Sequence, residues 1–248
     1  MLAKWIGLRR TLLNREIATL GSAPRPVALL YSKTSMLQQL PDQSRETDSN
    51  PHLSALRQIY NDSQSAGVYM GITTEKKILA GDLQKHKILV LPSVEFLSDA
   101  VTNEILRWAE GGGTLVISPD SLVGDEYERH SQAARLLRSR TIRRKLPSPK
   151  RGESWSRFLS LVAKNAGRKP QLVVTRQDGG AAPEIEYRVT DFDEGRLAYF
   201  VNNSDQDVKI ILRPDFSFTR IVDRRTEMPL PEPRLLLAAR ETAILQFR

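Results

Sequence analysis

The residues with the most chemical potential lie between Ile117 and His130, where Ser118 and Ser121 stand close in sequence to Asp125 and His130. Serine, histidine and aspartate can form a nucleophile, its base and the group that orients the base. A nucleophile raised on a strand-to-helix elbow needs small flanking residues, as in GxSxG, because the turn is strained. The run here is Ile117, Ser118, Pro119, Asp120, Ser121, so the plainer expectation is a polar loop that caps the next helix. Asp125 and Glu126 are adjacent and diverge on either a helix or a strand, unlike the opposed carboxylates that cleave a glycosidic bond. Glu75 and Glu95 fall at strand ends, where a surface carboxylate is the ordinary role. Ser32, Glu75, Glu95, Ser118, Ser121, Asp125 and Glu126 form the set of ligand or interface candidates, and none is expected to be catalytic.

Other chemistries are removed by composition. The chain has no cysteine, which excludes disulfides, thiolate nucleophiles and thiolate metal sites. Its histidines, His52, His86 and His130, are far apart and form no HxH or HExxH arrangement, so no metal is expected. Neither GxGxxG nor GxxxxGK[ST] occurs, and Gly111 to Gly113 precede a strand instead of following one. They read as a helix stop, and no cofactor is expected. Trp155, Tyr187, Tyr199 and Phe200 offer faces on which a sugar could stack, although aromatics at strand or helix positions ordinarily pack in a core.

The formal net charge of +8 arises in one place: Arg135, Arg138, Arg140, Arg143, Arg144, Lys145, Lys150 and Arg151 occur without an acid among them. The run has no interleaved aromatic for base stacking, so it reads as a basic connector and no nucleic-acid partner is expected. Hydrophobic residues make up 40% and charged residues 27%, and no apolar run is long enough to cross a bilayer. Charges interrupt the first twenty residues, unlike a secretory signal. A soluble, cytoplasmic protein without a membrane partner is the expectation.

These residues must be positioned by elements that the apolar pattern marks out. Leu2, Trp5, Ile6, Leu12, Leu13, Ile17 and Leu20 recur at helical spacing, giving an amphipathic N-terminal helix within 1–24. Val27 to Tyr31 is a continuous apolar run, as in a strand buried on both faces. A polar stretch from Ser32 to Asn50 reads as a mobile or partner-contacting loop. Asn50 and Pro51 then open a helix that carries Leu53, Leu56, Ile59 and Tyr60. Val68, Met70 and Ile72 alternate as a strand, Lys87 to Leu91 form another, Ser98 caps a helix with Val101, Ile105 and Leu106, and Thr114 to Ile117 form a further strand. The order β, α, β, β, α, β predicts a doubly wound α/β domain over 25–146 with a mostly parallel sheet. A linker and a helix carrying Trp155, Phe158, Leu159, Leu161 and Val162 follow over 147–180. Segments such as Ile185 to Val189, Leu197 to Val201 and Thr242 to Phe247 then predict a small antiparallel β-domain over 181–248.

Three stretches, VALLYS at Val27 to Ser32, KILVLPSVEFLSDA at Lys87 to Ala100 and GGGTLVISPDSLVGDEY at Gly111 to Tyr127, resemble the trimerisation domain of glycoside hydrolase family 42 β-galactosidases. The last is the most specific: in that family a GGTLV strand runs into a serine-bearing loop and an acidic pair, here Ser121 with Asp125 and Glu126. YFVNNSDQDVKIIL and ETAILQF look more loosely like the β-domain that ends such enzymes. The resemblance implies a flavodoxin-like fold related to class I glutamine amidotransferases, whose cysteine nucleophile has no counterpart here. It also implies that the catalytic carboxylates belong to an N-terminal barrel of roughly 250 residues, so no residue of this chain inherits them. The first helix would correspond to the segment leaving that barrel.

The function expected is therefore assembly: a homo-oligomer, trimeric by resemblance, or a complex with a catalytic barrel chain, helping to form or cover a carbohydrate cleft. Two alternatives stand beside it. One is a small hydrolase or amidotransferase-like enzyme using Ser118 or Ser121; the other is a carbohydrate-binding module.

Overall fold

A computed structural model describes residues 13–39, 50–65, 68–139, 145–147, 171–193 and 195–248. Residues 1–12 of the expected first helix, 40–49 of the polar stretch, most of the basic run, and the linker and helix around Trp155 lie outside the described residues. The chain divides into two compact units, one within 25–63 and 69–168, the other within 1–24, 64–68 and 169–248.

The first unit is a five-stranded parallel sheet of β1 (Val27–Tyr31), β2 (Met70–Thr74), β3 (Ile88–Leu91), β4 (Thr114–Ile117) and β5 (Lys145–Pro147), in the order β2-β1-β3-β4-β5. Val27 pairs with Met70 on one side and with Ile88 on the other. Every residue of β3 and β4 is buried, which is why these strands read as unbroken apolar runs. The order is that of flavodoxin-like sheets, as expected. Because the chain moves one way from β1 to β2 and the other way to β3, β4 and β5, right-handed crossovers place helices on both faces.

Helix α1 (Asn14–Ser22) precedes the sheet; α2 (Lys33–Gln38) and α3 (Pro51–Ser65) lie between β1 and β2 in sequence. They are followed by α4 (Glu75–Leu79), α5 (Asp99–Glu110) and α6 (Gln132–Ser139). Ile78 of α4, Val101 and Ile105 of α5, and Ala134 and Leu137 of α6 share one core with Ala28, Leu30, Leu89, Leu91, Leu115 and Ile117. Val27, Leu29, Val90 and Val116 alternate with these along their strands and are also fully buried.

The caps expected at Asn50 and Ser98 form: Asn50 Oδ1 accepts from Leu53 N–H at 3.0 Å, and the Ser98 hydroxyl accepts from Val101 N–H. Two expectations change. Residues 33–38, expected as loop, are helical, with Ser32 accepting the Ser35 N–H as N-cap. The direct β2 to β3 link contains α4 and a 3₁₀ turn at Asp82–Lys85, because two parallel strands need a crossover between them.

The second unit has two antiparallel sheets. One contains β7 (Ile185–Phe192), β8 (Gly195–Asn202), β10 (Ile221–Asp223), β11 (Met228–Leu230) and β13 (Thr242–Phe247) in the order β11-β10-β13-β8-β7. The other contains β6 (Leu172–Arg176), β9 (Val208–Pro214) and β12 (Arg234–Leu237) in the order β12-β9-β6. Antiparallel pairing thus begins at Leu172, ahead of the expected boundary at 181. The sheets face each other across a core of Leu172, Ile210, Leu212, Ala198, Phe200 and Leu245.

The opposite face of the larger sheet, with Leu197, Tyr199, Val201 and Ile244, is covered by Leu13, Ile17 and Leu20 of the α1 segment. Strand β8 is therefore buried on both sides. Burial of those three α1 side chains contributes about 1.5–3 kcal/mol each relative to exposure. That packing explains how a nine-residue helix persists, since isolated helices of this length are marginal in water. Glu16, also buried, accepts from Arg224 Nη2 at 2.7 Å and Nε at 3.2 Å. The first helix, set off in the sequence as a segment of its own over 1–24, groups with the β-domain.

Candidate functional site

In an open α/β sheet, ligands gather beyond the carboxyl ends of the strands, where the strand order reverses. Here that place lies between the segments following β1 and β3, and side chains fill it. The Ser35 hydroxyl donates to the Phe96 carbonyl at 2.7 Å and accepts the Phe96 N–H at 2.9 Å. Gln39 Nε2 donates to the Ser93 carbonyl at 3.1 Å and to Glu95 Oε2 at 2.9 Å. Its Oε1 accepts the His52 N–H at 3.0 Å.

His52, fully buried in the first turn of α3, clasps both sides. Its Nε2 accepts the Ser32 N–H at 2.9 Å, and its Nδ1 donates to the Pro92 carbonyl at 2.7 Å. These bonds fix the neutral tautomer. Burial lowers the His52 pKa from its ordinary value near 6.5, against smaller opposing contributions from Pro92 and Glu75. With both ring nitrogens engaged by main chain, the imidazole is a structural clasp and has no lone pair left to act as a base.

The predicted residues join this layer in pairs. Ser32 Oγ donates to Glu75 Oε1 at 2.6 Å. Glu75 also accepts the Thr34 N–H at 3.1 Å and the Thr34 hydroxyl at 2.9 Å, tying the end of β2 to the end of β1. Ser121, fully buried, donates to the Leu91 carbonyl at 3.1 Å and accepts the Val94 N–H at 2.9 Å. Ser118 is buried, and its N–H donates to the Leu91 carbonyl at 3.3 Å. The Glu95 main-chain carbonyl accepts from Val123 at 2.7 Å, and Phe96 bridges Gly124 in parallel fashion. Sheet-like pairing thus continues from β3 and β4 into their loops.

Asp125 Oδ1 accepts the Tyr127 and Arg129 N–H groups, each at 2.8 Å, and Oδ2 accepts Arg129 Nε at 2.9 Å. Desolvation pushes this carboxyl up, but the two N–H donors and the guanidinium outweigh it and hold it below the ordinary carboxylate value. The Glu126 carbonyl accepts from Gln38 Nε2. His130 is exposed. The Ser, His, Asp arrangement does not assemble: Asp125 is committed to Arg129 and the Ser121 hydroxyl to main chain.

Placement at the ends of strands points to Ser32, Glu75 and Ser121, but not to Ser35, Gln39 or His52, which cross the reversal point. Proline at 51 placed His52 in the first helical turn; nothing local showed that it reaches a strand end forty residues away. Ser93 and Leu122 take positive φ values of 47° and 61°, a conformation disfavoured for side chains other than glycine. The carbonyl of Ser93 is held by Gln39, and the Leu122 N–H donates to the Val94 carbonyl at 2.7 Å.

At the amino end of the sheet a cleft of about 630 Å³ is lined by Ile78, His86, Trp108 and the glycine turn. It holds none of the predicted residues. In the β-domain, Tyr199 and Phe200 are buried. Tyr187 stacks on Phe200 with ring centroids 6.3 Å apart and donates its hydroxyl to the Leu172 carbonyl at 3.1 Å. These three aromatics, offered as sugar platforms, belong to the core; Trp155 lies outside the described residues. Among the described residues no group of three or more His, Asp or Glu side chains is placed to hold a metal ion, and no helix is long and apolar enough to cross a membrane.

A flavodoxin-like domain whose carboxyl edge is closed by its own side chains, followed in sequence by a two-sheet β-domain, defines the class of molecule. Residues 25–134, within the α/β unit, match the family profile of the β-galactosidase trimerisation domain. Among solved structures, the chain is similar to an exo-carrageenase of glycoside hydrolase family 42 from Bacteroides ovatus, with a TM-score of 0.68 and 16% identity over 90% of this chain and 29% of that one. It is also similar to a family 42 β-galactosidase from G. stearothermophilus, with a TM-score of 0.68 and 13% identity over 91% of this chain and 40% of that one. A β-galactosidase from Bacillus circulans sp. alkalophilus gives a TM-score of 0.62 and 12% identity over 91% and 42%. At these identities the likeness shows the fold. The chain spans less than half the length of each of these proteins. No curated protein matches it.

Proposed function

We propose that this chain is a non-catalytic assembly region of a β-galactosidase-like glycoside hydrolase. In this role it associates with copies of itself as a trimer and supports a catalytic barrel beside a carbohydrate cleft. The observation that carries the reading is the closed carboxyl edge within the segment that matches the trimerisation domain. Where an enzyme of this architecture keeps an open crevice, Ser35, Gln39, His52 and Ser121 spend their hydrogen bonds on neighbouring loops. Such an edge offers a preorganised surface in place of a reaction vessel. Oligomeric and barrel partners, the cleft and cytoplasmic residence all belong to this proposal.

The test is hydrolysis of an aryl β-galactoside and an aryl ester by the purified chain and by its Ser118→Ala/Ser121→Ala variant. The reading expects no turnover by either. Turnover lost in the double variant, with folding retained, would overturn it in favour of a serine hydrolase.

A further inference from the structure

We propose that copies of this chain meet head to tail across the carboxyl edge of the α/β sheet, the basic flank formed by β2 and α4 of one copy docking on the acidic loop after β4 of the next. The proposal rests on the assembly reading and names the surface that reading leaves open.

A ring of three requires two different, mutually complementary patches on each copy, because a self-complementary patch closes as a dimer. Two such patches lie along the edge, one beside β2 and one after β4. On the β2 side, Lys33, Lys76 and Lys77 are exposed, while Glu75, the nearby acid, is consumed by Ser32 and Thr34. Strand β2 ends the sheet and exposes Ile72, and α4 exposes Leu79. On the β4 side, Asp120 and Glu128 are exposed and Glu126 is half-buried; Arg129, the nearby cation, pairs with Asp125 at 2.9 Å and lies over the Tyr127 ring, 4.7 Å from its centroid. Val123 and Tyr127 project from the same loop, Tyr127 with 68% of its surface exposed.

Among the described residues, none of these three lysines or three acids takes part in an ion pair within 4.0 Å. Each patch therefore joins uncompensated charge of one sign to exposed apolar side chains, which is the composition of a protein contact. The acidic loop is also held rigid, through Leu122 to Val94, Val123 to Glu95 and Gln38 to Glu126. Little ordering remains to oppose docking.

The test is sedimentation equilibrium of the full chain at low and moderate salt, for wild type, Lys76→Glu/Lys77→Glu, Glu126→Lys/Glu128→Lys, and the four substitutions combined. Circular dichroism and thermal unfolding confirm the fold of each. Wild type should associate, each charge reversal should weaken association by about tenfold or more at low salt, and the combined chain should regain it. Tyr127→Ser, which leaves charge unchanged, should weaken association as well, and it serves if a reversal fails to fold. Association unaffected by the reversals and by Tyr127→Ser leaves this edge to another occupant and overturns the proposal, as does loss in both reversals without recovery in the combined chain. A wild-type chain that never associates overturns the assembly reading itself.

Discussion

The main-chain N–H of Ser32 donates to Nε2 of the buried His52 at 2.9 Å, while the other ring nitrogen holds the Pro92 carbonyl. One side chain thereby fixes the ends of β1 and β3, the two strands that flank the reversal point. Because burial lowers the His52 pKa, the unfolded chain takes up this proton near pH 6.5 and the folded chain only at lower pH. The stability contribution is complete above about pH 6.5 and declines as pH falls below it, by at most about 1.4 kcal/mol per pH unit for one proton. Urea unfolding at about pH 7.5 and about pH 5.5 should show a larger loss for wild type than for His52→Gln. Equal losses would place the acid sensitivity elsewhere.

Ser121 is predicted to be structural. Ser121→Ala leaves the buried Val94 N–H without its 2.9 Å acceptor and should cost about 1–3 kcal/mol in urea unfolding. An unchanged midpoint would mean that water or a shifted loop satisfies that donor equally well.

Legibility divided along the line between local pattern and long-range pairing. Strands β1, β3 and β4 could be read because doubly buried strands are unbroken apolar runs, and the caps at Asn50 and Ser98 because capping is local. Helix α4 escaped because five residues are too few to show a helical period. Helix α2, with Thr34 and Ser35 in its first turn, has too little apolar stripe to announce itself. The candidate site was half legible: Ser32, Glu75 and Ser121 sit at strand ends, where polar residues are conspicuous. The bonds from Ser35 to Phe96 and from Gln39 to Ser93 span 61 and 54 residues, a separation that no sequence window covers. In the β-domain the all-buried Leu197 to Val201 run marked a strand, but the helix covering its second face comes from the other end of the chain.

Gly113 is required by a close approach. A Cβ there would stand 2.5 Å from the Trp108 ring, and that ring is already buried against the core. Gly113→Ala should destabilise the α/β unit by about 1–3 kcal/mol and shift the tryptophan emission maximum. Unaltered stability and emission would show that the ring moves aside without cost.

Buried Glu16 forms an ion pair with the half-buried Arg224, reaching from α1 to the segment after β10. Glu16→Gln removes the charge opposite a guanidinium that also contacts Glu227 at 2.8 Å, and should cost about 1–2 kcal/mol. A double-mutant cycle with Arg224→Met should recover part of that loss; strict additivity would show that the pair contributes no coupling.

The mass of the chain in solution tests its proposed role as an assembly region most directly. Sedimentation equilibrium of the unmodified full chain over a wide concentration range should give three chain masses, with dissociation on dilution and at high salt. A single chain mass at every concentration would contradict the account.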